Sequence, residues 1–318
     1  MNNNLKLYNL AVLLIIFIGT HGCASNRFIY PDYEVSIDNM KRTVQYLSNI
    51  NPPRNHLNIE SLENSANYIA QEFIKYGVGV EEQKFEVSGN IYKNVIASVG
   101  PRGGARIVIG AHYDVCGEQP GADDNASAIA GLLEIARFAE MYESELPYRV
   151  DFVAYALEEP PYFGTEKMGS YFHAKHLHEN NINLRGMICL EMIGFFNDRK
   201  GSQRYPLSLM RLFYGSRGDF ISVVSNYGSS SFSKQVSRHL KATSIKVKTL
   251  KAPSFFGGID FSDHRNYWKF SYDAIMVTDT SFYRNPNYHN TSDTIDSLDF
   301  DKMKDVVKGI CWSLLNMD

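Results

Sequence analysis

Two adjacent glutamates, Glu158 and Glu159, close a strongly apolar run, RVDFVAYALEE. A buried strand that ends on two like charges leaves each carboxylate in need of a partner, because an unpaired one in a dry place is strongly unfavourable. A metal centre resolves the problem: one carboxylate binds the cation, and its neighbour, pointing elsewhere, handles protons. Other residues supply further parts of such a centre. His112 stands in GAHYD, with Asp114 two residues on. In extended chain that spacing puts both side chains on one side, so Asp114 can accept the second ring N–H of His112 and fix its tautomer. The segment PGADDNASA carries Asp123, Asp124 and Asn125, Glu191 is a single acid in the apolar run GMICLEM, and His289 lies in the turn-rich NPNYHNTSD.

Each of these residues has a plainer reading. His112 alone would be a satisfied structural histidine, and Glu191 one half of a salt bridge. Asp123, Asp124 and Asn125 would be caps at a helix N-terminus. His289 would be an ordinary exposed side chain. Together they make a different case. Imidazole and carboxylate donors suit zinc, or less selectively manganese or cobalt. Two histidines and three carboxylates exceed one tetrahedral site and suit two cations about 3.5–4 Å apart with a bridging carboxylate and a bridging water. Such a pair activates water at neutral pH and polarises a carbonyl.

The elements that must hold these groups alternate. Helical spacing marks SIDNMKRTVQYLSNI, then SLENSANYIAQEFIKYG, which opens on a capping-box pattern at Ser61 and closes at Gly77. Strand-like runs follow: EEQKFEVSG, YKNVIASVG and RIVIGAHYD. A long helix over ASAIAGLLEIARFAEMYES precedes the strand ending in Glu158 and Glu159. GTEKMGSYFHAKHLHEN reads as a helix and RGMICLEMIGFF as a strand. Beyond these, DFISVVSNYG and DAIMVTDTS are strands, and SFSKQVSRHLKAT and LDFDKMKDVVKGICWSLLNM are helices. This alternation predicts an α/β sandwich of three layers around a mixed, mostly parallel sheet. His112, the two glutamates and Glu191 all fall at C-terminal strand ends, where open α/β sheets place their sites.

The 318 residues carry a formal charge of -3 and no basic stripe, which argues against nucleic-acid binding. Lys6 precedes LAVLLIIFIG, too short to span a bilayer but suited to a signal-peptide core, and Cys23 follows in THGC. A lipoprotein-type signal over residues 1–23 is the expectation, followed by a single catalytic domain over 24–318. The only membrane link expected is a lipid on Cys23, with the protein in the periplasm, on the outer membrane, or secreted. Cys116, Cys189 and Cys311 are an odd set and make no disulfide framework. Cys189 reads as a small buried hydrophobe, whereas Cys116 lies close to the proposed site. His173, His176 and His178 crowd one helix and read as a solvated face.

GAHYD, PGADDNAS, ALEE, CLEMIG and YHNTSDT resemble, in order, the motifs of the secreted co-catalytic zinc aminopeptidases, metallopeptidase family twenty-eight. The resemblance runs from about Arg106 to Asp293, and EEPPYFGTEKMGS is similar to a bacterial branch. It implies two zinc ions and peptide substrates. His112 and Glu191 would hold one ion, Glu159 and His289 the other, and Asp124 would bridge. Glu158 would be the general base, and Tyr288 would help stabilise the tetrahedral oxyanion. Many members carry Asp where this chain has Glu191. Asp263 and His264 match a further family phrase and would line the site without binding metal, or make a structural hydrogen bond. The loop KAPSFFGGIDF, with two phenylalanines beside flexible glycines, would wall a hydrophobic pocket for a substrate side chain or pack on the core. Glutaminyl cyclisation with a single zinc, in a related group sharing HYD and the paired glutamates, is the rival activity, and a non-enzymatic binding module is the third possibility.

Overall fold

The computed structural model describes residues 28–254 and 256–317. The expected signal segment with Cys23, and Phe255, lie outside them.

Eight strands form one mixed sheet. Two helices come first, α1 (Ile37–Ser48) and α2 (Ile59–Lys75), followed by β1 (Gly79–Val87), β2 (Asn90–Val99) and β3 (Arg106–His112). An irregular turn, Ala122–Ser127, leads into α3 (Ala128–Met141). Then come β4 (Arg149–Tyr155), α4 (Gly169–Glu179), β5 (Leu184–Glu191), α5 (Met210–Tyr214), β6 (Phe220–Ser225), α6 (Ser230–Leu240), β7 (Lys246–Lys251), α7 (His264–Lys269), β8 (Ala274–Thr278) and α8 (Phe300–Asn316). The spatial order is β1-β2-β4-β3-β5-β8-β6-β7. The four central strands β4, β3, β5 and β8 run parallel. β1–β2, β2–β4 and β8–β6 pair antiparallel, whereas β6 and β7 pair parallel, which bears out the mixed α/β expectation.

The central strands are buried on both faces and lack a polar alternation, as doubly covered parallel strands do. On one face pack α3 and α8, and α3 is buried almost all round. The chain goes from β3 through α3 to β4 on one side, then crosses through α4 to β5 on the other. The crevice between those oppositely directed connections opens at the C-terminal end of β3, the expected place for a ligand in such a sheet.

Several local expectations are corrected. The second helix starts at Ile59, not at Ser61, and Asn58 caps it without a side-chain bond. Ser61 instead donates to the Pro52 carbonyl at 2.6 Å. Residues 164–168 form turns, and α4 begins only at Gly169. β7, rich in lysine and half exposed at the sheet edge, and the six-residue α7 went unrecognised because neither has a strong apolar period.

His173 is not part of a solvated face. It is 2% exposed, and its Nδ1 lies 2.6 Å from the Tyr267 hydroxyl, which lies 2.6 Å from that of Tyr155. Only His176 and His178 face water. The Tyr155 ring packs over Gly110, where a Cβ would come within 2.3 Å of it. Burial holds the His173 pKa down at about 4. Between about 6.5 and 4 the unfolded chain therefore binds a proton that the folded chain refuses, and stability falls as pH falls through that window. His173→Gln keeps an acceptor for Tyr267 and should flatten this slope by about 1.4 kcal/mol per pH unit. Denaturant midpoints measured from pH 7 to 4 on both proteins test this; parallel curves would refute it.

Candidate metal centre

The predicted donors converge at the end of β3. His112 is its last residue, Glu158 and Glu159 follow β4, Glu191 ends β5, and His289 comes from the loop after β8. His112 Nε2 lies 3.4 Å from Asp124 Oδ1 and 3.4 Å from Glu191 Oε2. His289 Nε2 lies 3.3 Å from Asp124 Oδ2 and 3.2 Å from Glu159 Oε2. One carboxylate thus turns one oxygen to each histidine. Zinc sits about 2.0–2.2 Å from N and O donors, so neighbouring corners of its tetrahedron lie roughly 3.3–3.6 Å apart. The observed spacings are those edges. Glu158 stands back, its Oε2 3.9 Å from His112 Nε2.

A cation fits this cluster on a second ground. His112 Nε2, both oxygens of Asp124, Glu159 Oε1 and His289 Nε2 are buried without any hydrogen-bond partner. Buried polar atoms are ordinarily satisfied, so five orphans facing one another mark a site for a ligand. His112 Nδ1 points at the Asp114 carbonyl at 3.2 Å. A carbonyl can only accept, so Nδ1 carries the proton and the Nε2 lone pair faces the cluster. The tautomer is fixed as expected, but by the backbone of Asp114, whose carboxylate is 3.6 Å away.

That carboxylate accepts the N–H groups of Glu158 and Glu159, both at 3.1 Å. Asn125 does the same for Glu191 by accepting from Met192 N–H at 2.9 Å and donating to the Leu190 carbonyl at 3.2 Å. Asp293 accepts from Asp123 and Asp124 N–H at 3.0–3.2 Å. The capping reading of PGADDNASA is therefore corrected: α3 has no side-chain cap, and Asp123 reaches away to Gly194 N–H and Asn285 Nδ2. The Asp114 and Asn125 clamps hold strained backbone in place, since Leu157 and Met192 have φ of 64° and 48°; His289 is also left-handed, at 57°.

The electrostatics reflect crowding. Burial raises the pKa of Glu158 and Glu159 well above the carboxylate range, and neighbouring carboxylates add to it. Burial works against charge on His112, but Glu191 and Glu158 outweigh it and hold its pKa well up. For Asp124, burial is outweighed by the two histidines beside it, and its pKa falls. Burial also keeps the Tyr288 hydroxyl protonated, and its ring stacks on His289 at 3.7 Å. Ser262 donates to Glu191 Oε2 at 2.6 Å. Asp263 and His264 are fully buried, with His264 Nε2 bonded to the Ile259 carbonyl, and neither is among the residues lining the cavity described next.

Glu158, Glu159, Glu191, Tyr288 and His289 form one wall of a cavity of about 240 Å³. The opposite wall is apolar: Phe163, Tyr205, Met210, Phe220, Phe256 and Phe282 line it with Met276. Phe256, Gly257 and Gly258 bear out the expected pocket wall.

Peptidase family M28 matches residues 94–312. The chain belongs to that family. An uncharacterised Escherichia coli protein, YfbL, is 43% identical over 88% of both chains. A probable leucine aminopeptidase of Trichophyton verrucosum is 24% identical, over 86% of this chain and 71% of its own. Among solved structures, LapB of Legionella pneumophila is similar at a TM-score of 0.69 and 24% identity, covering 89% of this chain and 73% of its own. A Bacteroides thetaiotaomicron glutaminyl cyclase is similar at 0.68 and 20%, covering 90% and 99%.

One residue escaped the sequence reading. Arg54, 1% exposed, gives all its bonds to carbonyls: Leu47, Tyr113, Pro120 and Gly121, at 2.5–2.9 Å. It ties the loop after His112 to the turn bearing Asp124. Burial lowers its pKa to about 10, with Asp293 and Asp124 opposing, so it stays charged at neutral pH. Its only sequence cue was a basic residue in the helix-breaking NPPRN. Arg54→Met should cost at least about 3 kcal/mol by orphaning these carbonyls and removing a buried cation from among acids. Arg54→Lys should recover only part, having fewer donors and no fork. Urea midpoints of both variants within about 0.5 kcal/mol of the parent would contradict this assignment.

Proposed function

We propose that this M28 peptidase is a two-zinc aminopeptidase that releases large apolar N-terminal residues. The split carboxylate of Asp124, one oxygen toward His112 and the other toward His289, carries the reading. His112 and Glu191 would hold one ion and Glu159 and His289 the other, with Asp124 as a shared ligand. Two such ions would supply Lewis acidity and activate water at neutral pH. Glu158, set back from the donors and with a raised pKa, takes the proton of the attacking water and passes it to the leaving amine. The protonated Tyr288 hydroxyl donates to the oxyanion. The apolar wall receives the first side chain of the peptide, and the site's carboxylates hold its free amine.

Glutaminyl cyclisation needs one zinc and no attacking water. The overall fold does not separate the two reactions, because neighbours of both kinds overlay this chain equally well. A second group of donors around His289, besides the one around His112, favours the two-metal reaction. Export with a lipid on Cys23 completes the proposal on the N-terminal sequence alone.

Glu158→Gln should keep two zinc ions per chain and lose about 10²–10⁴-fold in kcat. Metal analysis and turnover of leucyl, phenylalanyl and glutaminyl peptides provide the test. Near-parental hydrolysis by this variant would remove Glu158 from its role. One zinc with a pyroglutamyl product would favour cyclisation.

A further inference from the structure

One more potential donor reaches the centre. Cys116 lies in the loop after β3, two residues past Asp114. Its Sγ, a Glu159 carboxylate oxygen and a His289 ring nitrogen all lie within 4.8 Å of one another. The thiol is free and half-buried, unlike the fully buried Cys189 and Cys311. A second observation points to a ligand here. The Glu159 side chain is enclosed, yet its Oε1 has no hydrogen-bond partner, and neither has His289 Nε2. Asp124 Oδ2 and Glu159 Oε2 lie 3.3 and 3.2 Å from His289 Nε2, so the thiol stands beside nitrogen and oxygen donors already gathered at this end of the cluster.

We propose that Cys116 is a thiolate ligand of the metal held between Glu159 and His289. The inference rests on the two-metal reading above and adds to it a chemical inequality between the two sites. The His112 site offers only nitrogen and oxygen, whereas the His289 site adds sulfur at a reach of about 2.3 Å from zinc. On coordination the S–H bond breaks, the sulfur keeps the electron pair and bonds the metal, and the proton leaves to solvent. A soft donor makes this site selective for zinc or cobalt over manganese and magnesium. It also covers the thiol whenever the ion is bound.

The test uses the full chain loaded with Co²⁺. The parent should show a near-ultraviolet thiolate-to-cobalt charge-transfer band that Cys116→Ala and Cys116→Ser both lose, and the second ion should bind these variants at least about tenfold more weakly. Iodoacetamide labelling, mapped to the Cys116 peptide of the parent, should be at least about tenfold slower with zinc than without. Two cobalt ions without the band, a band that survives Cys116→Ala, or equal labelling with and without zinc would each overturn the thiolate ligand and leave the two-metal reading standing. Failure to bind a second ion at all would overturn both.

Discussion

Too many carboxylates share one dry place, and the rest of the molecule is arranged around that fact. Asp114, Asp124, Glu158, Glu159, Glu191, Asp263 and Asp293 are all buried near His112. Like charges this close cannot all ionise in a low dielectric without positive charge among them. Without a cation the crowding appears as pKa shifts: burial raises Glu158, Glu159, Asp263 and Asp293, and the carboxylates around His112 raise it against its own burial. Divalent cations relieve the same crowding more completely, because each brings two charges and direct bonds. Metal affinity and folding stability are then one free energy, as in other sites whose ligands repel one another without the ion.

The crowding also explains why the scaffold spends so many polar groups on its own backbone. Asp114 grips the N–H groups of both glutamates, Asn125 grips the chain on either side of Glu191, and Asp293 grips the turn that carries Asp124. Each clamp belongs to the motif of one donor and holds the backbone of another. The donors are thereby fixed to one another rather than each to its own strand, and the positive φ angles at Leu157 and Met192 persist beside the Asp114 and Asn125 clamps. Arg54 closes the ring from outside the strand ends, through carbonyls alone.

The sequence made the donors legible for a physical reason: a charge that ends an apolar strand has few explanations, and Glu158, Glu159 and Glu191 all do so. The order of strands and helices was legible from period and length. The clamps were not. Asn125 and Asp293 look like any turn former, and their partners lie 65–67 and 169–170 residues away. Arg54 gave no signal because its acceptors are carbonyls, which leave no mark in a sequence. His173 was misread because helical spacing gives the face of a residue but not the depth of its burial; its Tyr267 partner is 94 residues on.

Chemistry and specificity come from different parts of the sheet. The donors stand on β3, β4 and β5 and on the loops beside them. Most of the apolar lining comes from β6, β8 and the loop after it, the segment around α5 and the loop before α7, with Phe163 from the segment after β4. No donor to the metal cluster comes from β6 or β7, so the lining on β6 can change shape without moving a donor, whereas Phe282 packs on Tyr288, which stacks on His289. A fold divided in this way can keep one polar wall and reshape the other, and it can redirect the same Lewis acidity from an attacking water to an amine of the substrate itself. The presence of both aminopeptidases and glutaminyl cyclases among its structural neighbours is what such a division would produce. It follows that the residues separating the two reactions should be sought on the far wall, around Tyr205, Phe220, Phe256 and Phe282, rather than among the donors the sequence displays so plainly.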